Sequence, residues 1–153
     1  MIKHKLETLS DFQEKYPNSH IGGSIGLMIR GIDLKRGLFS SDLDITTNAF
    51  DASKNEDWEG RSDGNDFDYA LKKMHEDGHY TKIDIRVNPE PSFDIVEYEG
   101  KKYNVSKLSD ILWWKKKYAD KGVKKHEYDL ITIETGVRPP EPIESIDGLD
   151  LPF

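Results

Sequence analysis

Apolar residues along this chain recur with two periods, and the switches between them mark the elements. Leu6, Leu9, Phe12 and Tyr16 lie at helical spacing until Pro17-Asn18 interrupts them, which predicts a short first helix. His20-Ile21 leads through Gly22-Gly23-Ser24 into the apolar stretch Ile25 to Ile32, predicting a short strand, a glycine turn and a helix. From Ser41 to Phe50 the period falls to two: Leu43 and Ile45 share one face, while Asp42, Asp44 and Thr46 share the other. Asp51 to Asp68 is acidic and rich in Gly, Asn and Ser, and predicts a mobile loop. Phe67 to Glu76 predicts a helix closed by Asp77-Gly78. Tyr80 to Val87 alternates again, with Thr81, Ile83, Ile85 and Val87 on one face and Lys82, Asp84 and Arg86 on the other. Phe93–Tyr98 and Lys101–Val105 flank Glu99-Gly100 as a hairpin with a two-residue turn. Ser106 is placed to cap the next helix, whose stripe of Leu108, Ile111, Leu112 and Ala119 ends at Asp120-Lys121-Gly122. A last helix is expected from about Lys124 to Thr135, and the rest, Gly136 to Phe153, holds four prolines and no period.

These elements predict one α/β (α+β) domain over residues 1–135, followed by an extended Pro-containing tail at 136–153. The domain should carry a small mixed, twisted sheet with helices mainly on one face.

Composition narrows the chemistry. A chain of 153 residues can bury a core without a disulfide or structural metal. It contains no cysteine, which excludes thiol catalysis and Cys-ligated zinc. A net charge of -7 disfavours long nucleic acid, whose binding needs a basic stripe. It does not disfavour a nucleotide, because a metal ion neutralises phosphate locally. No apolar run approaches the roughly 20 residues that span a bilayer, and the first residues, Met1 to Glu7, lack the apolar centre of a signal peptide. The expectation is a soluble cytoplasmic protein with no membrane partner.

The most informative segment is Ser41-Asp42-Leu43-Asp44-Ile45. Two aspartates one residue apart on a strand point the same way, on the order of 7 Å apart along the chain. That spacing lets them share one or two divalent ions, and hard carboxylate oxygens suit Mg2+, which also takes phosphate oxygens and water. Asp84, between Ile83 and Ile85, offers a third carboxylate on the polar face of its own strand. If the two strands are neighbours, the three converge, and such a cluster calls for a cation. Upstream, Gly22-Gly23-Ser24 at a strand-to-helix turn lets backbone N–H groups approach a phosphate, with the serine hydroxyl as a further donor.

In this order, Ile21-Gly22-Gly23-Ser24, Asp42-Leu43-Asp44-Ile45 and Ile83-Asp84-Ile85 resemble the nucleotidyltransferase superfamily related to DNA polymerase beta. Within it, the chain is similar to the small single-domain antibiotic and antitoxin-type transferases. The run Lys124-Lys125-His126-Glu127-Tyr128-Asp129-Leu130 resembles a Lys-His-x-x-Asp-Leu element near the end of such proteins. The likeness spans roughly Ile21 to Leu130. It implies that Gly22, Gly23 and Ser24 hold a triphosphate, that Asp42 and Asp44 bind metal, and that Asp84 binds metal or acts as base. It implies Mg2+ or Mn2+ as cofactor and a nucleoside triphosphate, ATP among the candidates, as donor. The spacer from Ser24 to Asp42 is longer than the family's common interval, and its extra residues should form a turn containing Arg36. Arg36, Lys125 and His126 are further candidates for the nucleotide site, as is Lys115. With little room for an added helical domain, the acceptor is expected to be a small-molecule or protein hydroxyl. The alternative of a different class is a catalytically silent nucleotide-binding module of the same fold.

Other signals compete. His75-Glu76-Asp77-Gly78-His79 matches the H-E-x-x-H pattern of zinc hydrolases, which needs both histidines on one helix face. Gly78 is expected to end the helix inside the motif. Trp113 and Trp114 cannot both face the core; one should pack inside, which leaves the other available to stack on a base or partner. His126 and Asp129, at i and i+3, can share a helix face.

Overall fold

The computed structural model describes residues 2–51, 59–62 (backbone only) and 67–140. Its elements run α1 (Ile2–Lys15), β1 (His20–Ile21), α2 (Gly23–Ile29), β2 (Leu43–Thr47), β3 (Glu59–Ser62), β4 (Tyr69–Met74), β5 (Tyr80–Val87), β6 (Phe93–Tyr98), β7 (Lys101–Ser106), α3 (Leu108–Asp120) and α4 (Lys124–Thr135). The strands form one mixed sheet of seven in the order β3-β4-β5-β2-β1-β7-β6. β2 pairs with β5, and β1 with β7, in parallel; the other neighbours are antiparallel.

The apolar positions of the central strands meet one core. Leu43 and Ile45 of β2, Ile83 and Ile85 of β5 and Val105 of β7 are fully buried with Leu9 and Phe12 of α1 and Ile25, Leu27 and Ile29 of α2. The register Leu43↔Ile83, Asp44↔Asp84, Ile45↔Ile85 aligns the alternations of β2 and β5. A slip of one residue would carry the aspartates into the hydrocarbon core, so core burial and register of the acidic face are fixed together.

Local sequence explains the turns that hold these strands. Glu99 and Gly100 both have positive φ (50° and 82°), the combination of a type I′ turn, which suits the twist of β6 and β7. Arg30, after α2, donates to the Ser106 carbonyl and to Asp94, tying the helix to β7 and β6.

Several expectations change. Phe67–Glu76 is not a helix: its central part is β4, paired along its whole length with β5. Phe67, Ala70, Leu71 and Met74 fall at helical spacing, but a helix here would leave one edge of β5 without hydrogen bonds, and the tertiary pairing overrides local preference. Asp77-Gly78 is then the turn of a β4–β5 hairpin rather than a helix end, with His75 N–H donating to the His79 carbonyl. Ser106 closes β7 and does not cap α3; its hydroxyl is hydrogen-bonded to His20 Nδ1 at 2.6 Å. Within Asp51–Asp68, residues 59–62 form a strand, while 52–58 and 63–66, where the rest of the expected loop falls, lie outside the described residues, as do tail residues 141–153. The Ser41–Phe50 strand is shorter than expected, at Leu43–Thr47. Among the described residues no helix is long and apolar enough to cross a membrane.

Candidate functional site

The polar faces of β2 and β5 form an acidic wall. Asp44 and Asp84 are direct neighbours across the parallel pair, and Asp42 precedes β2 on the same side. Burial, followed by repulsion from Asp84 and Asp42, pushes the Asp44 carboxyl up to about 7, although Arg86 and Lys115 pull the other way. Burial and Asp42 also raise Asp84, against the opposing charge of Lys82. Lys82 Nζ lies 3.5 Å from Asp42 Oδ2 and 3.6 Å from Asp84 Oδ1. Among the described residues, no three histidine, aspartate or glutamate side chains already form a metal-binding group.

Gly23 brings α2 against this wall. Its φ of +61° is one that L side chains rarely adopt, and a Cβ there would lie 2.5 Å from Asp44 Oδ2. The preceding Gly22 N–H donates to the Asp44 carbonyl at 2.7 Å. The glycine pair therefore serves the approach of α2 to Asp44 before any ligand is considered.

The facing wall is cationic and centres on Asp129, which is fully buried on α4. Arg36 grips its carboxylate with two hydrogen bonds of 2.9 and 2.8 Å, Lys115 of α3 donates at 2.8 Å, and Arg138 donates at 2.7 Å. Burial alone would raise this carboxyl; the hydrogen bonds from Arg36, Lys115 and Arg138 and the Lys115 charge outweigh it and hold the group far below the usual range. Arg36 and Lys115 also reach the Ser24 hydroxyl, at 2.8 and 3.1 Å, so the hub ends at the start of α2. Lys115 further contacts His126 Nδ1 at 3.2 Å. Burial, then the charges of Lys115 and Lys125, lower His126 to about 4, leaving its ring neutral at physiological pH. Three cations around one carboxylate leave a net positive wall.

Between the walls lies a cleft of about 210 Å³ whose lining includes Gly22, Gly23, Asp44, Arg86, Lys115 and His126. Aromatic rings close one side of it. The Arg86 guanidinium lies 3.6 Å from the Trp114 ring centre and 4.4 Å from that of Phe67, and Trp114 stacks on Tyr118. At the other end, His20 is buried against Phe93 and Ser106, and burial lowers it to about 4.

Of the residues singled out in the sequence, Gly22, Gly23, Asp44, Trp114, Lys115 and His126 line this cleft. Ser24 and Arg36 join it through Lys115, and Asp42 and Asp84 lie beside Asp44. Lys125 is exposed on α4 and is absent from the lining; the buried Lys115 occupies the cationic wall instead. His126 and Asp129 both meet Lys115 rather than each other. Trp113 is exposed, while Trp114 borders the cleft. Arg138 and Lys82 escaped the sequence reading: a lone Arg before two prolines and a Lys on a polar strand face carry no local signal. The H-E-x-x-H match falls on the β4–β5 turn, where His75 bonds the Thr81 hydroxyl at 2.7 Å and His79 lies 3.3 Å from Asp77, so the helix that motif needs is not formed.

No protein-family model matches this chain, and no curated protein sequence does. The fold is similar to that of a solved structure, an antigenic nucleotidyltransferase-like protein from Paracoccidioides brasiliensis, with a TM-score of 0.52 and 17% identity over 89% of this chain and 78% of that one. At that identity the likeness is one of fold.

Proposed function

We infer, for a chain with a nucleotidyltransferase-like fold, that it is a metal-dependent nucleotidyltransferase. It would move a nucleoside monophosphate from a nucleoside triphosphate to a hydroxyl of a small molecule or protein and release pyrophosphate. The observation that carries this reading is the cleft itself: an acidic wall with Asp44 and Asp84 in register faces a cationic wall built on Lys115 and Arg36. A triphosphate with its metal has the matching pair of charges.

The donor set suits Mg2+ or Mn2+. It consists of hard oxygens, and burial, together with repulsion from neighbouring aspartates, raises the carboxyls of Asp44 and Asp84, a penalty that a bound cation would relieve. Asp42, Asp44 and Asp84 would hold the ion, which when bound neutralises phosphate charge and favours the attacking and leaving oxygens. The other tasks fall to side chains of this chain. Lys115 and Arg36, held by Asp129, bind phosphate oxygens near Ser24. Gly23 keeps the space beside Asp44 free. Trp114 and Tyr118 offer ring faces for a base. In the reaction the acceptor hydroxyl passes its proton to the Asp84 carboxylate, its oxygen bonds to the α-phosphorus, the bond from that phosphorus to the oxygen bridging the α- and β-phosphates breaks, and pyrophosphate carries away the electron pair. Catalysis of this kind is chiefly positioning and charge stabilisation.

The reading is tested by incubating the protein with Mg2+ and each α-labelled nucleoside triphosphate, together with a panel of hydroxyl compounds and proteins. Pyrophosphate release and label transfer are followed in wild type and in Asp44→Asn and Asp84→Asn. Transfer should occur in wild type and fall at least a hundredfold in both variants. If no triphosphate with Mg2+ shifts the wild-type melt at millimolar concentration, the reading is wrong. A triphosphate that raises the melt of all three proteins equally, with no transfer, favours a silent nucleotide-binding module.

A further inference from the structure

Lys82 has no task in the transfer just described, yet its ammonium stands within the acidic wall. It stands on β5 two residues before Asp84 and on the same face. Its ammonium lies between the outer carboxylates, 3.5 Å from Asp42 Oδ2 and 3.6 Å from Asp84 Oδ1. Across the strand pair its direct partner is Lys72, whose own ammonium is drawn over the Tyr80 ring at 4.7 Å. Like charges directly opposite repel, which favours turning the Lys82 head toward the aspartates. The Lys82 side chain is 38% exposed, so a rotation of its flexible stem carries the ammonium into water without opening the core.

We propose that Lys82 is the resident counter-ion of the carboxylate cluster, and that a divalent cation enters the site by displacing the Lys82 ammonium from between Asp42 and Asp84. This rests on the reading of those aspartates as metal ligands. Lys82 then does two things. It compensates the acidic wall while no metal is bound, and it competes with metal, so that tight loading requires the additional oxygens of a polyphosphate. It touches neither phosphate nor base and sets metal affinity rather than chemistry.

The test measures Mn2+ binding without nucleotide, by the EPR signal of free Mn2+, for the full chain at low ionic strength. Wild type, Lys82→Gln and Lys82→Arg are compared, with Lys82→Met as a second neutral variant that keeps the aliphatic stem if Gln does not fold. The neutral variant should bind Mn2+ about tenfold more tightly than wild type, as expected for removal of one adjacent cation at an intermediate dielectric. Lys82→Arg should stay near wild type, and the gain should shrink as KCl rises. In chelator the neutral variant should melt below wild type, and Mn2+ should restore it. Equal or weaker Mn2+ binding by the neutral variant overturns the role of Lys82 while leaving the metal site standing. No Mn2+ binding by wild type or either neutral variant at millimolar concentration overturns this inference; if Mn2+ with a triphosphate also fails to shift the wild-type melt, the metal-dependent reading falls with it.

Discussion

Replacing Asp44 by Asn removes one charge from the acidic wall and keeps the side-chain shape beside Gly23. Burial and the two neighbouring aspartates raise the Asp44 carboxyl from its ordinary 3.8 to about 7. A carboxyl raised in the native state binds more protons folded than unfolded. Its ionisation therefore opposes folding, and stability is lost as pH rises from about 4 through about 7. The full shift corresponds to about 4 kcal/mol at alkaline pH. That figure is an upper limit, because the side chain is only half-buried and water reaches it from the cleft, and because Arg86 and Lys115 lose a partner in the variant. A net gain of about 1–2 kcal/mol remains at pH 8, equivalent to a melting point higher by about 2–8 °C for a chain of this size. At pH 4, where wild-type Asp44 is itself protonated, the gain should vanish. Thermal melts followed by circular dichroism, from pH 4 to pH 9 in chelator, measure the difference between variant and wild type. Taking that difference cancels the contributions of the histidines. Added Mg2+ should raise the wild-type melt more than that of the variant, reversing part of the gain. A difference that is independent of pH, or an Asn variant that melts lower at pH 8, would refute the claim that ionising the buried Asp44 beside its neighbouring aspartates opposes folding.

Other outcomes follow from the same geometry. Gly23→Ala places a methyl 2.5 Å from Asp44 Oδ2 at a φ of +61°, and should destabilise by about 1–3 kcal/mol in urea titrations; an unchanged midpoint would show that α2 can move away. Asp129→Ala leaves Arg36, Lys115 and Arg138 gathered around a lost carboxylate and should reduce stability by about 3–5 kcal/mol, the usual range for breaking a buried pair, whereas a loss below about 1 kcal/mol would mean the cations relax into water. His20 and His126, lowered to about 4, should stay neutral down to mildly acid pH; their stabilisation is complete above about 6.5 and lost as pH falls toward 4, and imidazole NMR titrations with midpoints near 6.5 would contradict their burial.

The alternation of Leu43, Asp44, Ile45 and of Ile83, Asp84, Ile85 was legible in the sequence because a strand has a period of two whatever surrounds it. Glu99-Gly100 was legible for a similar reason: the turn requires positive φ at both positions, which is a local property. Phe67–Glu76 was not. Its spacing allows a helix, and only the open edge of β5, a partner distant from any local window, makes it β4. The candidate site divides the same way. Three aspartates and a glycine pair announce themselves by residue type and spacing. The parallel register that sets Asp44 beside Asp84 is decided by core burial across two strands about 40 residues apart, and the hub around Asp129 joins Arg36, Lys115 and Arg138 from three separate segments. Ion pairs of that kind depend on distance in space, which sequence separation does not encode. For that reason the chain alone determined the strand faces and the candidate ligands, while the tertiary structure decided which cations meet them and where Lys82 would lie.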